Sequence, residues 1–283
     1  MKKILEHIDG LAVINMDSRP DRFAQFMAKA GVYLPEEKIQ RISAVVGREL
    51  PTFGKAPWFT ERTGERAGFW GGTGGCALAH RKAIEWAKEK QWRHVMVFED
   101  DVAIEPHVGA AEVLNRALAE LTGPYILYLG YNRPAPYGRR CMENAGLELW
   151  KTDGVIAAHA YIVSAELYDE LLAHMPTEDN VWEWLSRYRA VDVLYRDFLP
   201  YWKGVSVYVL HPIICVQDDA TSDIGQNDAA GMALACRQSP RKESLWRKIT
   251  EPLRRLKIKC NSIRTQIRAR RGGLPGLRKR KKK

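Results

Sequence analysis

Cysteine is scarce and poorly placed for cross-linking. The 283 residues hold 5 cysteines, at positions 76, 141, 215, 236 and 260, an odd number at wide spacing with no CxxC. That argues against a disulfide framework and against a cysteine zinc site. It suits a reducing compartment. Long apolar runs are also missing. The longest, Val205 to Val216, contains His211 and Pro212 and is too short to span a bilayer. At the N-terminus two lysines precede apolar residues, but Glu6, His7 and Asp9 interrupt them and no small-residue cleavage site follows. The expectation is a cytoplasmic protein without a transmembrane helix. No internal repeat is present.

Acid is nearly absent from the C-terminal stretch. From Arg237 to Lys283 there are 19 Lys/Arg against 2 Asp/Glu, a net charge of +17. The remainder holds 25 basic and 32 acidic residues, a net of −7, so the whole-chain value of +10 describes neither part. A mildly acidic body over residues 1–236 and a basic, partly helical or disordered tail over 237–283 follow from this split.

The body reads as alternating strands and helices. GLAVIN (10–15) is an apolar strand. In SRPDRFAQFMAKAG, Ser18 with Asp21 resembles a capping box and Pro20 suits a first turn. Phe23, Phe26, Met27 and Ala30 then recur at helical spacing until Gly31. Residues Gly47 to Gly75, rich in glycine, proline and aromatics, read as a long loop, and CALAHRKAIEWAKEKQ as a helix. HVMVF, PYILYLG, VIAAHAYIVS and VSVYVLHPII read as strands. EPHVGAAEVLNRALAEL, AELYDELLAHM and VDVLYRDFL read as helices. This alternation predicts an α/β fold with a mostly parallel sheet.

Glu99, Asp100 and Asp101 follow the HVMVF strand directly, and ligands of such sheets bind beyond the carboxyl ends of the strands. Side chains at i and i+2 point the same way, so Glu99 and Asp101 can face one ligand. Adjacent carboxylates repel one another, and a divalent cation, Mg²⁺ or Mn²⁺, would relieve the crowding. A solvated acidic turn is the plainer alternative.

The body also carries, in order, VINMDSRPDR at 13–22, GTGGCALAHRKAIEWA at 72–87, VFEDDV at 97–102, AYIVS at 160–164, VD at 191–192 and HP, Q and SDI between 211 and 224. This series resembles glycosyltransferase family 25, over roughly Leu11 to Ile224. The resemblance implies a GT-A-type, Rossmann-like nucleotide-sugar-binding fold. It implies inverting transfer of galactose or a similar hexose from a UDP-sugar donor to a saccharide acceptor of lipooligosaccharide type, with the acids serving as the metal motif. Asp101 is then the main metal ligand, Glu99 lies nearer ribose or metal, and Asp100 points elsewhere. Asp192 is the first candidate for the base that deprotonates the acceptor hydroxyl, with a helix N-cap as the competing role and Asp153 as a weaker candidate. His211 is either a third metal ligand or a buried core histidine. His80 orients the acids from behind. Cys76 is a small core residue. Asn15 with Arg19 or Arg22 lies at the first strand-to-helix turn, where a diphosphate would sit. Gln217, Ser222 and Asp223 form a late polar loop near the donor or acceptor. Ala79 and Tyr125 depart from the family's usual serine and aspartate, which leaves sugar preference open.

The tail's charge fits peripheral association with an anionic membrane surface. Leu245, Trp246, Ile249, Leu253, Leu256 and Ile258 would add an apolar face. The acidic body argues against nucleic acid as the main partner. A metal-dependent phosphohydrolase and a non-enzymatic polyanion-binding protein are the competing functional readings.

Overall fold

The computed structural model describes residues 7–132, 136–217, 239–242 and 245–270. Ser222 and Asp223 lie outside these residues. The architecture is α/β, built on a sheet of nine strands. In chain order these are β1 (Gly10–Asn15), β2 (Ile39–Ser43), β3 (His94–Glu99), β5 (Tyr125–Tyr128), β6 (Tyr137–Asn144), β7 (Leu147–Thr152), β8 (Ala160–Ser164), β9 (Ser206–His211) and β11 (Arg241–Lys242). A separate ribbon pairs β4 (Val102–Ile104) with β10 (Cys215–Gln217). The sheet order is β11-β6-β7-β9-β5-β8-β3-β1-β2. Only β8 and β7 run against the other strands.

The central strands are apolar on both sides because both faces of the sheet are covered. Side chains alternate across the pleat. Ala12, Ile14, Val95, Val97, Tyr161 and Val163 face one core. That core is packed by α2 (Gly64–Glu89), α4 (Tyr168–His174), α5 (Val181–Tyr188) and α6 (Val191–Asp197). Leu11, Val13, Met96, Phe98, Ala160 and Ile162 face the other core. There α1 (Pro20–Lys29) and α3 (Ala110–Glu120) supply the cover.

Two expectations need correction. Arg19, not Ser18, occupies the N-cap of α1, and no side chain caps it, so the capping box does not form. The second concerns residues 64–75, which are helical and not loop. They form the first half of the 26-residue α2. Each helical glycine costs about 1 kcal/mol relative to alanine, so the run looks non-helical by propensity. Tertiary contact decides otherwise. A Cβ at Gly75 would lie 2.0 Å from the Val45 carbonyl oxygen, and one at Gly71 would lie 2.4 Å from Arg48 Cγ. The glycines let the segment after β2 press onto the helix, which fixes one wall of the site.

The described part of the basic segment, 239–242 and 245–270, continues the body. β11 joins the sheet beside β6. The helix α7 (Leu245–Arg270) lies against α5. Arg254 Nη1 donates to Asp153 Oδ2 at 2.6 Å, and Ser262 Oγ donates to the Arg187 carbonyl at 2.9 Å. The guanidinium of Arg255 lies 4.5 Å from the ring centre of Tyr201, and Ala269 is buried. Among the described residues no helix is long and apolar enough to cross a membrane.

Candidate functional site

The carboxyl ends of β1, β2 and β3 open side by side, and the acids are delivered there. β3 ends on Glu99, and Asp100 and Asp101 form the turn into β4. The three carboxylates then part. Asp100 accepts from the Arg22 guanidinium at 2.5 Å and from Asn15 Nδ2 at 2.7 Å. Asn15 is itself fixed, since it donates to the Arg19 carbonyl and accepts from Arg41 Nε, both at 2.8 Å. Asp101 turns inward. Its Oδ2 lies 3.4 Å from Arg22 Nη2 and 3.5 Å from Gln217 Nε2. Its Oδ1 is buried and has no hydrogen-bond partner among the described residues. Glu99 Oε1 lies 3.2 Å from His80 Nε2, and His80 Nδ1 lies 2.8 Å from the Tyr161 hydroxyl, so both ring nitrogens are engaged.

These surroundings divide the acids electrically. Burial, then the neighbouring Glu99 charge, pushes the Asp101 carboxyl up to about 7 despite the nearby Arg22. Burial also raises Asp100, against the hydrogen bond from Asn15 and the charge of Arg22. Burial works to raise Glu99 too. There the hydrogen bond and charge of His80, with His159 and Arg22, win and hold it below the usual range.

Two cavities meet at this point and share Cys76 and Glu99. The smaller, about 110 Å³, runs past Asn15, Arg22, Gly72, Gly75, Asp100 and Asp101. The larger, about 550 Å³, runs past Thr73, Asn132, His159, Arg189, Asp192 and Gln217. Gln217 reaches Asp101 because β10 pairs with β4 in a register that sets Gln217 opposite Val102. Its Oε1 accepts from Asn132 Nδ2 at 3.1 Å. Asp192 lies in the first turn of α6, whose N-cap is Ala190. Burial raises its carboxyl, against the charge of Arg196.

Asn15, Arg22, His80, Glu99, Asp100, Asp101, Asp192 and Gln217 are therefore gathered around one cleft. Others are not. Arg19 pairs with Asp21 at 3.0 Å on the surface and lines neither cavity. His211 ends β9, three strand positions from β3, roughly 14 Å across the sheet. It faces Glu148 on β7, and its Nε2 is 3.2 Å from Ser239 Oγ. That position removes it from the acid cluster. Asp153 is held by Arg254 and lines neither cavity. Cys76 is not simply a core residue, since it lines both cavities. Burial, reinforced by Glu99, raises its thiol, which suits neither a nucleophile nor a thiolate ligand.

The donor set for a divalent cation can be read from these bonds. Asp100 is committed to Arg22 and Asn15. The unpartnered Asp101 Oδ1 and the partly open Glu99 supply hard oxygens of the kind Mg²⁺ and Mn²⁺ take. Cys76, His80 and Glu99 also place one ligand atom each within 4.8 Å of one another. There, however, both His80 nitrogens are in hydrogen bonds and the thiol is hard to ionise. Glu99 belongs to both sets.

His159 and Arg189 have no counterpart among the sequence expectations. His159 is buried, with Nδ1 unpartnered among the described residues and Nε2 3.4 Å from the Cys215 carbonyl. Arg189 adopts φ 73°, an uncommon conformation for a side-chain-bearing residue, at the rim of the larger cavity.

No protein-family model and no curated protein matches the sequence. Among solved structures, mannose-1-phosphate geranyltransferase from Thermus thermophilus is similar at 11% identity and TM-score 0.37, over 71% of this chain and 73% of that one. A197 from STIV is similar at 10% identity and TM-score 0.29, over 56% of this chain and 66% of that one. At these scores neither likeness bears on function.

Proposed function

We propose that this protein is a glycosyltransferase that moves a hexose, galactose in the first instance, from a UDP-sugar to a saccharide acceptor. In this reading it is a GT-A-type enzyme of family 25 acting with inversion in lipooligosaccharide or related glycan synthesis, in the cytoplasm. The observation that carries the reading is the junction of two cavities at Glu99. On one side lie the acids and Arg22, at the strand ends where a nucleotide binds in open α/β sheets. On the other lies Asp192, within reach of a second substrate.

Asp101 and Glu99 would hold Mn²⁺ or Mg²⁺, which when bound neutralises the charge of a diphosphate leaving group. Arg22 offsets the charge of Asp100 at the wall of the donor cavity. His80, backed by Tyr161, fixes the direction of Glu99. Asp192, its carboxyl raised by burial, would take the acceptor proton as the hydroxyl attacks from the face opposite the leaving group. Asn132 and Gln217, joined to each other on the wall of the larger cavity, would orient the sugar there.

Calorimetric titration tests the donor side. UDP should bind the wild type in the presence of Mn²⁺ and bind Asp101→Asn at least about tenfold more weakly. Equal affinity in both proteins would take Asp101 out of the donor site.

A further inference from the structure

We propose that the outer face of α7 docks onto an anionic lipid surface. Ile249, Leu253, Leu256, Ile263 and Ile267 are exposed, and so is Cys260. Their spacing alternates between four and three residues. At about 100° per residue, the six positions fall within roughly 80° of arc and run for about 27 Å along the helix. The face that meets the body lies opposite. Ile258, Ser262 and Ala269 are partly or fully covered there, which takes Ile258 out of the apolar face expected from sequence. The stripe is thus the apolar face left over once the helix has docked, and apolar patches of this kind mark interaction surfaces.

Charge identifies the occupant. Lys257 and Arg264 flank the stripe on one side and Lys259 on the other, all exposed. The only acid of α7, Glu251, lies on the body side, 3.7 Å from Arg254 and 3.9 Å from Arg255. A second copy of the chain packed on this seam would set these cations against their equals. A bilayer containing anionic lipid instead takes the apolar stripe into its interface while the lysines reach up to phosphates. Next to the stripe, and sharing Ile263 with it, a cavity of about 510 Å³ sets Arg187, Arg255 and Lys259 around Tyr201 and Trp202, with one acid, Asp197, that is paired to Arg196 at 2.6 Å. A lipid headgroup entering from this face meets an excess of cations beside aromatic rings. This docking would hold a lipid-linked acceptor near the cleft, but it does not rest on the transfer reading, because the test contains no substrate.

The test is co-sedimentation of the full chain with vesicles of phosphatidylcholine alone, or with about a third phosphatidylglycerol. Binding is expected to the anionic vesicles only. The double variant Leu253→Ser/Ile263→Ser, altered only at exposed positions, should bind roughly tenfold or more weakly with an unchanged melting temperature. Val108→Ser, an exposed apolar residue elsewhere, should bind as the wild type does. Undiminished binding by the double variant, or equal binding to neutral vesicles, would overturn the proposal. So would a lipid-independent dimer that the double variant abolishes.

Discussion

Replacing Asp101 by asparagine should stabilise the metal-free protein, and only above acid pH. In the unfolded chain this carboxyl ionises near 3.8, whereas in the fold it ionises near 7. Between those values the unfolded chain has released a proton that the folded chain still holds. Stability therefore falls as pH rises through this window, and the loss is complete above pH 7. A shift of about three units at about 1.36 kcal/mol each gives an upper figure of about 4 kcal/mol. Asparagine has the same shape and no charge to bury. Its advantage over the wild type should be near zero at about pH 4 and grow to roughly 2–4 kcal/mol by about pH 8. Glu99, held below its usual range, acts in the opposite sense: its stabilisation is present above its unfolded value and lost as pH falls through its lower folded value. The two windows overlap only between 3.8 and 4.5, so the rise toward pH 8 belongs to Asp101. Urea unfolding followed by tryptophan fluorescence across this range measures the difference. A difference that does not change with pH, or an Asn variant that loses ground at pH 8, would refute the reasoning. Saturating Mn²⁺ should recover about 3 kcal/mol for the wild type at pH 8, and little for the variant.

Other substitutions follow from the same contacts. Arg22→Leu strands Asp100, since both side chains are about nine-tenths buried, and should cost about 3–5 kcal/mol in the same unfolding assay. Gly75→Ala sets a methyl against the Val45 carbonyl; a cost of about 1–3 kcal/mol is expected, visible as a lower melting temperature. Asp192→Asn should lower kcat by about 10²–10⁴ with little change in KM for the donor, and a parallel loss of donor binding would make it a binding residue. Cys76→Ser should keep activity within about tenfold, because a thiol this hard to ionise is not the attacking group.

Much of the frame was legible in the sequence for a definite reason. β1, β3 and β8 are covered on both faces, so each is a continuous apolar run that stands out from its neighbours. The acids were legible because they follow such a run directly. Elements that depend on partners were not. The glycines of α2 read as loop until the 45–48 segment is seen pressed against them. β6 and β7 carry many polar residues, and their turn at Ala145 and Gly146 uses positive φ at both positions. Within the site, local reading placed Glu99 and Asp101 on one side of the strand end but could not give Asp100 its partner. Arg22 comes from a helix far back in the chain, and nothing local distinguishes it from Arg19. His159 sits in an apolar stretch and resembles a core histidine. His211 attracted attention through its motif, yet the sheet order sets it apart from the acids.

The most direct measurement is turnover of a panel of nucleotide sugars with a saccharide acceptor, with and without Mn²⁺. Metal-dependent release of UDP from one UDP-hexose is expected, abolished in Asp101→Asn while that variant stays folded. No metal-dependent turnover of any nucleotide sugar, or full activity in Asp101→Asn, would contradict the assignment of this cleft.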